Sequence, residues 1–232
     1  MTRKRALTIA ERRFAEHAGE LAGLGLQKRF ERIYATNLWS DTESRSGVGS
    51  RLDSTRVISA QLPPALRTLG ARVLLDAPCG DFTWMQHVEL GDIDYIGADI
   101  VPSIVAENER RYRNAAREFM TLDLTRDELP EADVLLCRDC LVHLSYANIA
   151  ALLRNVARSN IRCVLMTSFP GRGDNKDVED GDWRPLDFSA PPFEFPEPRL
   201  TIVEECEEEN GAYSDKSLVA WSVSDIPALW SR

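Results

Sequence analysis

From residue 72 onward the chain alternates short apolar runs with longer amphipathic stretches, and this rhythm limits the fold more than any other feature. Residues 72–77 read as a buried strand, and the runs at 94–99, 119–122, 133–137 and 162–169 follow the same pattern. Between them the spacing predicts helices. One covers 82–90. A second covers 102–116, where Pro102 suits the first helical position and the pairs Glu107–Arg111 and Glu109–Arg113 stand four residues apart. A third starts at Ser145, a good N-cap, and carries Ile149, Leu152, Leu153 and Val156 on one face. Strands alternating with helices give an α/β fold, a mostly parallel sheet covered on both faces. Two later β-rich segments, 199–204 and 217–223, predict an antiparallel pair at one edge. Upstream, helical spacing over 9–35, interrupted at Gly19, Gly23 and Gly25, resumes over 52–69, with a polar, glycine-containing loop between. The organisation is one domain, with an N-terminal helical extension and lid (1–70) and an α/β core (71–232) carrying a loop at 171–195.

Charge and cysteine content remove several function classes. The 28 Lys and Arg against 37 Asp and Glu give a net charge of −9, the wrong sign for a protein that grips nucleic-acid backbones. The basic opening stretch reads as a solvated helical face. No apolar run approaches the ~20 residues of a membrane-spanning helix, and the start has no apolar segment of the kind a secretion signal needs. Five cysteines, Cys79, Cys137, Cys140, Cys163 and Cys206, are an odd number suited to reduced thiols, and the expected location is the cytoplasm. Cys137-x-x-Cys140 lacks the second ligand pair of a zinc site and reads as two small buried thiols. The run Glu204–Glu209 reads as a solvated turn.

In an open α/β sheet the ligand lies beyond the carboxyl ends of the strands, at the point where strand order reverses. Four strand ends here carry acids. The first runs Leu75-Asp-Ala-Pro-Cys-Gly-Asp-Phe-Thr-Trp84, and the second ends in Asp99, 23 residues after Asp76, where a carboxylate can accept from two ribose hydroxyls. The third leads into Asp123-Leu124, suited to an adenine amine, and the fourth into Cys137-Arg-Asp-Cys-Leu-Val-His-Leu144. A G-x-G-x-x-G turn for a pyrophosphate is absent. Together these ends describe a pocket for an adenosine-like ligand.

The set Val73–Asp81, Tyr95–Asp99, Asp123-Leu124 and Asp133–Leu144 resembles the class I S-adenosylmethionine-dependent methyltransferases over about residues 70–170. Its glycine turn is a variant, with Gly80 retained and Pro78 and Phe82 in place of the flanking glycines. The resemblance implies a Rossmann-like seven-stranded fold and S-adenosylmethionine as cofactor. It implies cofactor contacts from Asp76, Pro78, Cys79, Gly80, Asp81 and Trp84 at the first strand end. Asp99 and Ile100 would contribute at the second, Asp123 and Leu124 at the third, and Arg138 at the fourth. Trp39 and Ser46 would close over the cofactor from the extension. Ser46–Ser50, Gly181–Leu186 and Pro191–Phe193 further resemble a bacterial branch of sugar and polysaccharide O-methyltransferases, the methylmannose polysaccharide type included. That implies a saccharide acceptor; a natural-product or protein methyltransferase and a non-catalytic adenosyl-binding module are the alternatives. A homodimer is the expected assembly.

Methyl transfer to a hydroxyl needs alignment and a destination for the hydroxyl proton. His143, after the fourth strand, is the candidate base, and Asp139 four residues earlier is the candidate group that orients its ring; the other two histidines, His17 and His87, read as surface or packing residues. Trp183 and Arg184 offer an aromatic face and a five-donor cation to a sugar. The competing route is Mg²⁺ held by Asp139 with Asp174, Asp177, Glu179, Asp180 and Asp182; against it, 174–182 reads as a solvated, mobile lid with no residue assigned as a metal ligand.

Overall fold

The computed structural model describes residues 7–231; the basic positions Arg3, Lys4 and Arg5 lie outside the described residues. Seven strands form one sheet: β1 (Val73–Asp76), β2 (Asp94–Asp99), β3 (Arg117–Thr121), β4 (Val134–Cys137), β5 (Cys163–Ser168), β6 (Leu200–Val203) and β7 (Ser217–Ser222). Their order is β3-β2-β1-β4-β5-β7-β6. The first five run parallel, and β7 lies antiparallel between β5 and β6. Strand order reverses between β1 and β4, which opens the crevice beyond Asp76 and Cys137.

The period-2 alternation of strand side chains divides the core into two layers. Leu74, Val134, Leu136 and Leu165 face α3 (Arg56–Thr68), packing on Ile58, Leu62 and Leu66. Leu75, Leu135, Val164 and Met166 face the opposite layer, with Ile149, Leu152, Leu153 and Val156 of α5 (Tyr146–Arg158). α4 (Pro102–Tyr112) begins with proline at its first turn, as its sequence predicts, and both i,i+4 pairs form. α1 (Ile9–Leu21) is capped reciprocally by Thr8 and Glu11, and α2 (Leu26–Ala35) follows the break at Gly23, whose φ is +74°. Phe14, Leu21, Ile33 and Leu38 make the small core of this helical pair.

Two helices are shorter than the sequence predicts. The expected helix over 82–90 is only a 3₁₀ turn, Met85–His87, because Phe82 takes a φ of +61° and drives its ring into the core. There Phe82 meets Tyr95 and Phe119 edge-on at 5.3 and 5.2 Å. The helix expected to reach residue 116 stops at Tyr112, where Asn114 and Arg117 close a tight turn into β3. Ser145 caps α5 as expected, its side chain accepting from the Asn148 N–H.

Candidate active site

A cavity of about 290 Å³ opens at the strand-order reversal, between the carboxyl ends of the sheet and the N-terminal helices. Its floor is the turn after β1. Gly80 adopts φ +54°, and a Cβ there would run into the Ser46 side chain, so only glycine lets the 46–50 loop approach. The Ser46 hydroxyl accepts from the Asp81 N–H at 3.0 Å, and Asn108 donates to the Gly80 carbonyl at 2.7 Å. The turn is thereby fixed from both sides. No helix N-terminus follows it, so the positive dipole end that favours a pyrophosphate is missing.

Three strand-end acids face this cavity. Asp76 accepts from the Tyr95 hydroxyl at 2.6 Å, and burial raises its pKa to about 7. Asp99 accepts from the N–H groups of Gly80 (3.2 Å) and Val101 (2.9 Å); burial raises it to about 6 against the pull of those bonds. Asp123 is held by Thr125, whose hydroxyl donates at 2.6 Å. Ile100, Leu124, Pro78, Cys79 and Trp84 complete this end, with the Arg138 guanidinium 5.6 Å above the Trp84 ring. Trp39 and Ser46, from the extension, line the same cavity. Asp81 does not. Its carboxylate turns outward and accepts from the Ser44 hydroxyl and the Arg45 N–H, so it is a buttress for the loop.

At the opposite end His143 sits in a 3₁₀ turn after β4, and its backbone is clamped by segment 181–184. The Gly181 N–H donates to the His143 carbonyl at 2.7 Å, and the Arg184 N–H to that of Val142 at 3.1 Å. The Arg184 guanidinium donates to the carbonyls of Leu141 and Leu144 at 2.6 and 2.5 Å. The sequence offered Arg184 as a sugar ligand. The structure instead buries it outside the cavity with its fork on main-chain oxygens, where it locks the histidine turn. The His143 ring is also oriented differently than expected. Its Nδ1 lies 2.8 Å from the Asp182 carbonyl, which can only accept, so Nδ1 carries the proton and Nε2 keeps its lone pair. Burial lowers the His143 pKa to about 4, against the opposing pull of that carbonyl and the Asp139 charge. The Trp39 ring leans on the imidazole, centroids 4.9 Å apart.

Asp139 does not hydrogen-bond His143. It occupies a left-handed backbone position (φ +49°) and accepts from the Lys216 ammonium at 2.6 Å. Burial would raise its pKa, but Lys216 and Arg138 overrule this and hold it near 2. Arg138 in turn forks onto Glu204, with contacts of 3.2 and 2.7 Å. Glu204, read from sequence as part of a solvated turn, is therefore buried inside an ion network with Arg138 and Lys216.

Three of the 174–182 acids are held by other parts of the chain and do not form a loose lid. Asp180 accepts from the Ser145 N–H and Asn148, Asp177 accepts from the Tyr146 N–H, and both cap α5. Glu179 pairs with Arg29, and Gly181 packs on Ile33. Among the described residues no cluster of His, Cys, Asp or Glu is arranged to hold a metal ion, so the Mg²⁺ route has no ligand set. Cys137 and Cys140 lie beside each other as free thiols.

Trp183 does line the cavity, as the sequence suggested. The sequence did not single out Phe169, Tyr213, Lys216 or the start of α1, which join it there. Tyr213 meets Trp183 and Phe169 edge-on at 4.8 and 5.9 Å.

No protein-family model and no curated protein sequence matches the chain. Solved structures do. Human N-acetylserotonin methyltransferase in complex with SAM has a TM-score of 0.59 at 12% identity, over 90% of this chain and 66% of that one. The N-methyltransferase NodS from Bradyrhizobium japonicum WM9, in complex with S-adenosyl-l-homocysteine, has 0.57 at 10% identity, over 82% and 97%. The PH0226 protein from Pyrococcus horikoshii OT3 has 0.53 at 15% identity, over 83% and 97%. This chain thus spans about two thirds of the human enzyme's length. The likeness is one of fold, and the fold is the Rossmann-like one of class I methyltransferases.

Proposed function

We propose that this chain is an S-adenosylmethionine-dependent methyltransferase that acts on a hydroxyl group, with His143 as general base. The observation that carries the reading is one cavity with two unlike ends. One holds three buried strand-end carboxylates, and the other holds a neutral, rigidly clamped imidazole. Of the three, Asp123 is paired with Arg126 at 3.3 Å, while Asp76 and Asp99 have no side-chain cation within salt-bridge distance among the described residues. Asp99 would accept from the ribose hydroxyls and Asp123 from the adenine amine, while Asp76 and the Gly80 turn would hold the amino-acid portion. A buried carboxylate without a cation is costly unless a ligand supplies donors, and the cofactor has donors to give. When bound, the cofactor supplies a methyl group on a positively charged sulfur, which needs no further activation. What remains for the protein is alignment and proton removal. The Asp182 carbonyl fixes the tautomer, the Arg184 clamp fixes the ring's position, and Nε2 takes the acceptor's hydroxyl proton.

The reading is supported by two fold relatives, both methyltransferases in complex with SAM or S-adenosyl-l-homocysteine. A saccharide acceptor, implied by sequence resemblance, loses Arg184 from its recognition set. The natural-product alternative gains from the aromatic lining around Trp183. The test is His143→Ala with titrated cofactor and a screen for released demethylated product. Retained cofactor affinity with turnover lowered by ~10²–10⁴-fold is the expected result; wild-type turnover removes His143 from the chemistry.

A further inference from the structure

The acceptor end of the cavity holds aromatic rings from three separate parts of the chain. Trp39 comes from the loop after α2, Phe169 and Trp183 from the segment after β5, and Tyr213 from the turn before β7. Val142 and Phe169 pack with Tyr213 as one apolar cluster against Trp183 and Cys206. Aromatic surfaces reward a flat apolar partner through dispersion and quadrupole contacts.

The charged groups nearby are already engaged with each other. Lys216 lies 2.6 Å from Asp139 and 3.6 Å from Glu204. Arg138 forks onto Glu204, and Arg184 onto main-chain carbonyls. Glu209 accepts from the Ile9 N–H at 3.1 Å, and Glu208 stands 3.9 Å from Lys216. A hexose brings several hydroxyls into such a site, each needing a partner, and every one left without a partner is penalised. Among the described residues two polar atoms at this end stand open: Nε2 of His143, whose other nitrogen is fixed on Asp182, and the buried indole N–H of Trp39, which a single acceptor oxygen can satisfy.

From this inventory we infer that the acceptor is a flat aromatic or conjugated hydroxyl compound, phenol-like, seated among Trp39, Trp183, Phe169 and Tyr213 with its hydroxyl on His143. The inference rests on the methyl-transfer reading and specifies its acceptor. It fits the base as well: burial leaves His143 at about 4, a weak base. A phenol ionises near ~10, as tyrosine does, far more readily than an aliphatic hydroxyl. In the reaction the phenol oxygen forms the new bond to the methyl carbon, its proton passes to Nε2, and the electron pair of the broken bond stays on sulfur.

The experiment is calorimetric titration of 2-naphthol, catechol and methyl α-mannoside into protein saturated with S-adenosylhomocysteine, alongside turnover of the same compounds with S-adenosylmethionine. The expected result is saturable binding of 2-naphthol, none of the mannoside, and methylation confined to the aromatic probes. Trp183→Ala should weaken 2-naphthol about tenfold or more while leaving S-adenosylhomocysteine affinity unchanged, and Trp183→Phe should restore most of the loss. Tighter binding or turnover of the mannoside overturns the inference, and so does the lack of saturable heat from both aromatic probes. If S-adenosylhomocysteine itself fails to bind, the methyl-transfer reading falls instead. The aromatic titration is then judged on the ligand-free protein by the same criteria.

Discussion

Asp99 and Asp139 both stand at the carboxyl end of the sheet, yet their electrostatic settings are opposite. Burial raises Asp99 to about 6, and its neighbour Asp76 to about 7. Burial acts on Asp139 too, but Lys216 and Arg138 hold it near 2. The difference is the supply of cations. Asp139 has an ammonium at 2.6 Å, whereas Asp99 has backbone N–H groups and Asp76 a tyrosine hydroxyl. A carboxylate satisfied from within the protein belongs to the framework; one left short of donors is poised for a ligand that brings them. The two ends of the cavity are built on that contrast. One end presents carboxylates short of donors, and the other is internally neutralised and walled with rings.

The largest expected effect lies at the second end. His143→Ala should lower turnover by ~10²–10⁴-fold with little change in cofactor affinity, measured by product release and calorimetry on the same preparation. Equal losses in both would collapse the distinction between the ends. Next comes the framework itself. Glu204→Ala strips the bidentate partner from buried Arg138 and should cost about 3–5 kcal/mol in denaturant unfolding, whereas an exposed pair such as Arg56–Glu205 should contribute under about 1 kcal/mol. Arg184→Ala leaves the carbonyls of Leu141 and Leu144 without their donors and should cost about 1–3 kcal/mol. It should also lower kcat more than it raises the acceptor KM, because it loosens the base and not the acceptor walls.

The smallest effect is a pH slope, and its sign separates the ends. Asp76 and Asp99 have folded-state pKa values above the usual carboxylate range. The stability they contribute is present below about pH 4 and lost as pH rises through about 6 and 7. His143, lowered to about 4, acts in the opposite sense: its penalty appears as pH falls from about 6.5 toward 4. Between pH 6.5 and 8 the loss from the two acids outweighs the residual titration of His143 in the unfolded chain, so the ligand-free protein should melt at lower temperature as pH rises there. Asp99→Asn should flatten the slope. A slope of the opposite sign in that window would contradict the assignment.

The strand-end half of the cavity was legible in the sequence because its determinants are local. A buried run ending in an acid marks a strand end, and strand ends of a parallel sheet converge. The alternation predicted all five parallel strands to within two residues at each boundary, and Ser145 caps its helix as read. The acceptor end was not legible, because its parts come from 39, 143, 169, 183 and 213, brought together only by the folded chain. Arg184 shows the limit sharply: nothing in Trp183-Arg184 tells whether five donors point at a ligand or at carbonyls forty residues away. Glu204 had a signal that was missed. Ile202 pairs with Leu218 in the β6–β7 ladder, and both are buried. Two residues further along each strand, Glu204 and Lys216 must face the same side, so an inward ion pair could have been read from the hairpin register. Phe82 failed for the reverse reason. The spacing placed Phe82 at the start of a helix, but its positive φ breaks that helix and turns the ring into the core.

The central claim is that the strand-end acids, with Asp76 and Asp99 short of cations, form a site for an adenosyl cofactor. Calorimetric titration of S-adenosylhomocysteine into the wild-type chain and into Asp99→Ala tests it most directly. The account expects one saturable site in the wild type and a loss of about 100-fold in the variant, or about 2.8 kcal/mol. Equal affinity in the two proteins, or no binding to the wild type, would contradict it.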